Sequence, residues 1–166
     1  MTPITMEIND IWAILDEVCD PEIPVLSVTD LGIVRDVKIQ GQSTEVIITP
    51  TYSGCPAMDM IAVNIKAGLQ AKGVDNVQVT LVWSPAWTTD WMTERGRERL
   101  RAYGIAPPEE DFSDKMALFA QSPTVPCPRC NSLKTKVLSQ FGSTACKAMY
   151  QCEDCKEPFD YFKCHR

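Results

Sequence analysis

Ile8, Ile11, Trp12, Leu15 and Val18 fall three and four positions apart, the spacing that gathers apolar side chains on one face of a helix. Asn9 or Asp10 suits its cap. Asp20-Pro-Glu-Ile-Pro24 ends it, because two prolines so close cannot enter a helix interior. Past Gly32 the period changes to two: Ile33, Arg35, Val37 and Ile39 alternate with Val34, Asp36 and Lys38. A second β-branched run occupies residues 45–50, with Gly41-Gln42-Ser43 turning between the two, and the pattern predicts a hairpin. Residues 57–72 return to helical spacing through Met60, Ile61, Ile65 and Leu69, with Pro56 as the first helical residue and Gly73 as the stop. Val77, Val79, Leu81 and Trp83 then alternate as a third strand. Helix, strand, strand, helix, strand make a compact α/β sandwich.

The pattern loosens after Trp83. Ser84-Pro-Ala-Trp-Thr-Thr-Asp-Trp91 leads into a charged helix over residues 90–103, capped by Thr89 and stopped by Gly104. Residues 107–126, opening on Pro107-Pro108, read as a linker. Residues 134–141 and 148–151 are strand-like, with Gly142-Ser143 as the turn between them. The expected class is α+β: a small α-β-β-α-β domain over 1–86, a helix and linker over 87–126, and a C-terminal zinc ribbon over 127–166.

Cysteine placement gives the second half its meaning. Of eight cysteines only Cys19 and Cys55 precede residue 127, and a chain of 166 residues has room for one small domain plus a module too small to build its own core without a staple. The first residues lack the basic and apolar regions of a secretory signal, and no apolar run approaches the roughly 18 residues a membrane helix needs. The chain therefore reads as cytoplasmic, where paired cysteines mean metal more often than disulfides. Sixteen Lys and Arg against 22 Asp and Glu leave a net charge of −6, which argues against a phosphate-backbone binder and for a protein partner.

Cys127-Pro-Arg-Cys130 and Cys152-Glu-Asp-Cys155 are two knuckles separated by about the length of a zinc-ribbon hairpin. Two residues between cysteines let both sulfurs face one point about 2.3 Å from a tetrahedral ion, and four thiolates leave no position for water. The site is thus structural, with zinc as the ion and an iron–sulfur cluster as the competitor. Cys146 reads either as a small hydrophobe or as a thiol activated by Lys147, and Cys164 as a leftover. His165, the only histidine, belongs to the tail, so Cys-His or Ser-His catalysis has no base and no catalytic residue is expected.

Cys55 precedes Pro56 at the start of a helix, where free N–H groups lower a thiol's pKa and make it a better ligand or nucleophile. Asp20 and Glu22 can reach the same sheet edge; otherwise they form and solvate a turn.

These residues carry a resemblance. Asp20-Pro-Glu-Ile-Pro24, Val28-Thr-Asp-Leu-Gly-Ile-Val-Arg-Asp36 and Thr49-Pro-Thr-Tyr-Ser-Gly-Cys-Pro56 resemble the signature of the SufT-like domain family that acts in iron–sulfur protein maturation, over about residues 8–83. Trp83-Ser-Pro-Ala-Trp-Thr-Thr-Asp-Trp91, Gly104-Ile-Ala-Pro-Pro108, Phe141-Gly-Ser-Thr-Ala-Cys-Lys-Ala148 and Phe159-Asp-Tyr-Phe-Lys163, together with the first knuckle, are similar to the phenylacetate-degradation protein D family along nearly the whole chain. That resemblance implies a place beside phenylacetyl-CoA epoxidase, a multicomponent oxygenase with a di-iron subunit and a reductase carrying flavin and an iron–sulfur cluster. The chain has neither the Glu-x-x-His pairs of a di-iron bundle nor a Gly-rich nucleotide fingerprint, so it does not oxygenate.

The resemblance implies an accessory maturation protein whose Cys55, with Asp20 or Glu22, transiently holds iron or a cluster while the ribbon docks an epoxidase component, foremost the reductase. A homodimer stays open. So do two other readings: a docking subunit with a purely structural zinc site, and an electron carrier with a cluster in the ribbon.

Overall fold

The computed structural model describes residues 6–108 and 124–163. Residues 109–123 of the expected linker, with Cys164 and His165, lie outside the described residues. The architecture is α+β, and the chain divides into two compact units, Met1–Gly96 and Arg97–Arg166.

The first unit opens with helix α1, Ile8–Leu15. Its cap is Glu7 rather than Asn9 or Asp10: the Glu7 N–H donates to Asp10 Oδ2 at 2.9 Å while the Asp10 N–H donates to the Glu7 carbonyl at 3.0 Å. The helix ends before Val18, whose carbonyl accepts from the Val28 N–H instead. Strands β1 (Val34–Gln40) and β2 (Ser43–Ile48) form the expected antiparallel hairpin, and β3 (Asn76–Leu81) pairs parallel with β2, giving the order β1-β2-β3. The parallel pair requires a crossover, supplied by helix α2, Ala57–Ala71, for which Pro56 serves as cap rather than first residue. Ile61, Ile65 and Leu69 repeat every four residues and are buried with Ile11 and Leu15 of α1 and Val37, Val46 and Ile48 of the sheet.

Strict alternation fails in β1. A bulge between Val34 and Asp36 puts Val34 and Val37 on the buried side and leaves Arg35 as the extra residue. Its guanidinium lies 3.4 Å over the Trp91 ring.

The charged helix begins later than expected. Thr88, not Thr89, caps a 3₁₀ turn over Thr89–Trp91, and Met92 is extended. Helix α3 spans Glu94–Tyr103, with Thr93 Oγ1 accepting from the Gly96 N–H at 3.0 Å. Gly104, at φ +92°, stops it. Residues 87–96 belong to the first unit: Trp87 Nε1 donates to the Leu31 carbonyl at 2.9 Å, and a Cβ on Gly32 would lie 2.1 Å from the Trp91 carbonyl oxygen. Only glycine permits that approach, and its φ of +74° favours glycine as well.

The second unit is a four-stranded sheet of order β4-β7-β6-β5, from β4 (Ile105–Ala106), β5 (Thr135–Ser139), β6 (Lys147–Cys152) and β7 (Pro158–Phe162). The sequence pattern reveals β5 and β6 and hides the other two. Ala148, Tyr150, Phe159 and Tyr161 close its core with Cys127, Cys152, Ala106 and Val125. The Tyr150 ring stacks on Phe159 at 5.8 Å and meets Tyr161 edge-on at 5.6 Å. Among the described residues no helix is long and apolar enough to cross a membrane.

Because the first unit buries the faces of α1, α2 and its sheet against one another, a fragment ending at Tyr103 is expected to fold alone. Circular dichroism with a cooperative urea transition checks this. A random-coil spectrum would show that the ribbon completes the first core.

Candidate metal centre and cysteine site

Each knuckle is shaped by its own backbone. In the first, the Asn131 N–H donates to the Cys127 carbonyl at 2.9 Å and the Cys127 N–H to the Ser132 carbonyl at 3.0 Å. In the second, the Cys155 N–H points at Cys152 Sγ at 3.5 Å and the Cys152 N–H donates to the Glu157 carbonyl at 3.0 Å. The residue after each closing cysteine, Asn131 at φ +60° and Lys156 at φ +66°, is left-handed and turns the chain back. Strand β6 delivers Cys152 as its last residue, so sheet pairing fixes one ligand of the set.

The four sulfurs converge. Cys127 Sγ lies 3.7 Å from Cys155 Sγ, Cys130 Sγ lies 3.5 Å from Cys152 Sγ, and all four fall within 4.8 Å of one another. A tetrahedral shell with metal–sulfur bonds of about 2.3 Å has edges of about 3.8 Å, so the donors fit a single ion. The Cys152 thiol is lowered to about 7, first by the Cys155 N–H, against the opposing effect of burial.

Cys55 lies immediately before the α2 cap, half-buried, with its N–H on the Tyr52 carbonyl at 3.3 Å. Its thiol is raised above the ordinary value, which corrects the expectation of a helix-activated thiol. Burial is the largest cause; the Ala57 N–H and Tyr52 pull the other way, and the carboxylates of Glu22 and Asp20 add to the rise. The helix terminus does act on the sulfur, but desolvation and two negative neighbours outweigh it. The fold thus brings the field of Asp20 and Glu22 onto Cys55. Asp20 also forms the turn, its Oδ1 accepting from the N–H groups of Glu22 at 2.7 Å and Ile23 at 3.0 Å.

Cys146 is buried beside Thr144, with sulfur and hydroxyl 3.1 Å apart. One buried polar cluster has no counterpart in the sequence reading: Asp30 is fully buried, with Oδ1 accepting from Thr93 Oγ1 at 2.7 Å and Arg95 Nε at 2.8 Å, and the other end of the guanidinium grips Asp16. Its partners lie far from it in the chain, where no local pattern joins them.

Residues 111–163 match the family described as PaaD zinc beta ribbon domain, and residues 8–81 the family described as Iron-sulfur cluster assembly protein. The chain is 51% identical over 158 residues to an Escherichia coli protein whose provisional name makes it a subunit of 1,2-phenylacetyl-CoA epoxidase, covering 95% of this chain and 93% of that one. Over 88 residues it is 38% identical to a protein of Porphyromonas gingivalis named Fe-S protein maturation auxiliary factor, covering 52% of this chain and 83% of the relative. A crystal structure of a domain of unknown function from Bacillus anthracis superimposes with a TM-score of 0.52 at 29% identity, over 55% of this chain and 89% of that one.

Proposed function

Because the chain belongs to the phenylacetate-degradation protein D (PaaD) family, we propose that it is a cytoplasmic accessory maturation protein of phenylacetyl-CoA epoxidase. In this reading it assists insertion of iron or an iron–sulfur cluster into a component, foremost the iron–sulfur flavin reductase. The observation that carries the reading is the meeting of a half-buried thiol with the charge of two carboxylates in a domain of the iron–sulfur assembly family.

Thiol and carboxylates together suit a transient cation. With its pKa raised, Cys55 keeps its proton at neutral pH and is a poor nucleophile, and a cation must displace that proton to bind the sulfur. An arriving ferrous ion or cluster iron is drawn by Asp20 and Glu22 and replaces the proton on sulfur. Binding therefore releases a proton, and affinity falls as pH falls. A group that is easily reprotonated also lets its cargo go, which a carrier needs and a permanent site does not.

The ribbon contributes differently. Cys127, Cys130, Cys152 and Cys155 would hold one zinc ion in a closed shell with no water position, so that the metal stiffens the unit and does no chemistry. The stiffened sheet then serves to dock the client.

The test is Cys55→Ala in cells producing the epoxidase, with iron, acid-labile sulfide and flavin measured in each purified component. The variant is expected to keep wild-type expression, fold and ribbon zinc, while cluster occupancy of the reductase falls several-fold and its flavin stays. Full cluster occupancy at wild-type expression would remove Cys55 from the mechanism and favour the docking reading.

A further inference from the structure

The two knuckles are joined by more than the ion. Ser132, just past the first knuckle, donates from its hydroxyl to Asp154 Oδ2 at 2.6 Å, and Asp154 lies between the two cysteines of the second. Lys134 Nζ reaches Asp154 Oδ1 at 3.5 Å, and the Lys134 carbonyl accepts from the Glu153 N–H at 2.7 Å. The bridge is also braced from behind. The Ser132 hydroxyl accepts from the Lys134 N–H at 3.1 Å, which orients it toward Asp154, and the Ser132 carbonyl holds the Cys127 N–H at 3.0 Å. One residue thus fixes a cysteine of the first knuckle through its main chain and the opposite knuckle through its side chain.

We propose that Ser132 and Asp154 form a latch across the knuckles that positions the four sulfurs and slows the escape of the metal. The inference rests on the reading of Cys127, Cys130, Cys152 and Cys155 as zinc ligands. Each knuckle supplies two sulfurs, so zinc can leave only when the knuckles part, and parting them breaks the Ser132–Asp154 bond. Lys134 adds little, since both it and Asp154 are well exposed and such pairs are weak in water. The hydroxyl-to-carboxylate bond, short and oriented at its serine end by the Lys134 N–H, is the effective element. Asp154 and Ser132 are positioning residues that touch no metal.

The test uses the full chain loaded with zinc, following release to excess EDTA with a colorimetric zinc indicator. Wild type is expected to carry one zinc per chain. Asp154→Ala and Ser132→Ala are expected to carry the same zinc but release it roughly three- to tenfold faster, below the roughly 10–100-fold effect of removing a group bonded directly to a ligand. The double variant should match either single one, because both remove the same bond. Ser132→Thr, which keeps the hydroxyl, should release at the wild-type rate.

Glu153→Gln removes a neighbouring negative charge without touching the latch and should also release normally. If it accelerates release as much as Asp154→Ala does, the effect is bulk charge and the latch is overturned. Wild-type release from both alanine variants at full zinc content would overturn it as well. A wild-type protein that holds no zinc would overturn the ligand reading and the latch with it, a result distinguishable from fast release by metal content alone.

Discussion

Replacing Cys152 by serine is expected to strip the protein of its zinc and unfold the whole C-terminal unit while the first unit stays folded. Cys152 is doubly placed: its sulfur stands 3.5 Å from Cys130 Sγ, and its residue is fully buried in the cluster with Tyr150, Phe159 and Tyr161. That cluster is small, and a unit of this size has little apolar area to offset chain entropy. Structural zinc contributes an apparent ~10–16 kcal/mol at neutral pH, far more than the net stability of such a unit without metal. A serine hydroxyl in place of one thiolate forfeits much of that. Metal content, near-ultraviolet dichroism from the packed tyrosines and urea titration check the outcome together. Cys146→Ser makes the contrast: its sulfur is buried beside Thr144 and outside the four-sulfur group, so zinc should be retained. Full zinc with a folded ribbon in Cys152→Ser would sink the assignment of the four sulfurs.

What is legible in the sequence is what lies close along the chain. Of the stripe Met60, Ile61, Ile65 and Leu69, the last three are buried and Met60 is exposed, and the stripe still identifies α2 because one helix turn repeats every few residues; each Cys-x-x-Cys knuckle is a unit of a few residues that points its own sulfurs together. Strand β7 escapes such a reading because Phe159-Asp-Tyr-Phe is short and follows a knuckle, and only its pairing with β6 and β4 makes it a strand. The bulge at Arg35 escapes it for a related reason: alternation looks continuous in the sequence, and the displaced register shows only against β2.

Cys55 shows where local chemistry misleads. Its position at a helix start is legible and its surroundings are not, since burial and the charges of Glu22 and Asp20 arrive through the fold and reverse the direction of the shift. The family motifs fare better because they carry such distant relations implicitly. The charges of Asp20 and Glu22 act on Cys55, although neither Asp20-Pro-Glu-Ile-Pro24 nor Ser-Gly-Cys-Pro56 predicts the other by any periodicity.

The second large effect is expected at Asp30, whose replacement by alanine should cost about 2–4 kcal/mol of stability, on the scale of losing two hydrogen bonds to a buried charged acceptor. Asp30 is fully buried and its Oδ1 accepts from both Thr93 Oγ1 and Arg95 Nε, while its main chain bonds Ser27 Oγ at 3.1 Å and the Thr93 N–H at 2.9 Å. Removing the carboxylate leaves a hydroxyl and one edge of a guanidinium facing a void. Asp30→Asn keeps an acceptor for Thr93 and should lose less. A shift of the urea midpoint with an unchanged slope is the expected signature, and a change below about 0.5 kcal/mol, as at an ordinary surface site, would show that the cluster is dispensable.

Asp16, at the outer side of the same guanidinium, gives the cluster a pH dependence. Its carboxyl is held below the ordinary range, first by the Arg95 hydrogen bond and then by Thr29, with burial opposing. A depressed carboxylate stabilises the fold above its unfolded pKa, about 3.9, and that contribution is lost as pH falls through the lower folded value. Asp16 and Arg95 are both partly exposed, so water screens the pair and the effect is smaller than at Asp30. Asp16→Asn should therefore be less stable than wild type at neutral pH, with the gap closing as the buffer is taken below about pH 4. A gap that stays constant down to about pH 3 would mean that Asp16 acts through packing and not through its charge.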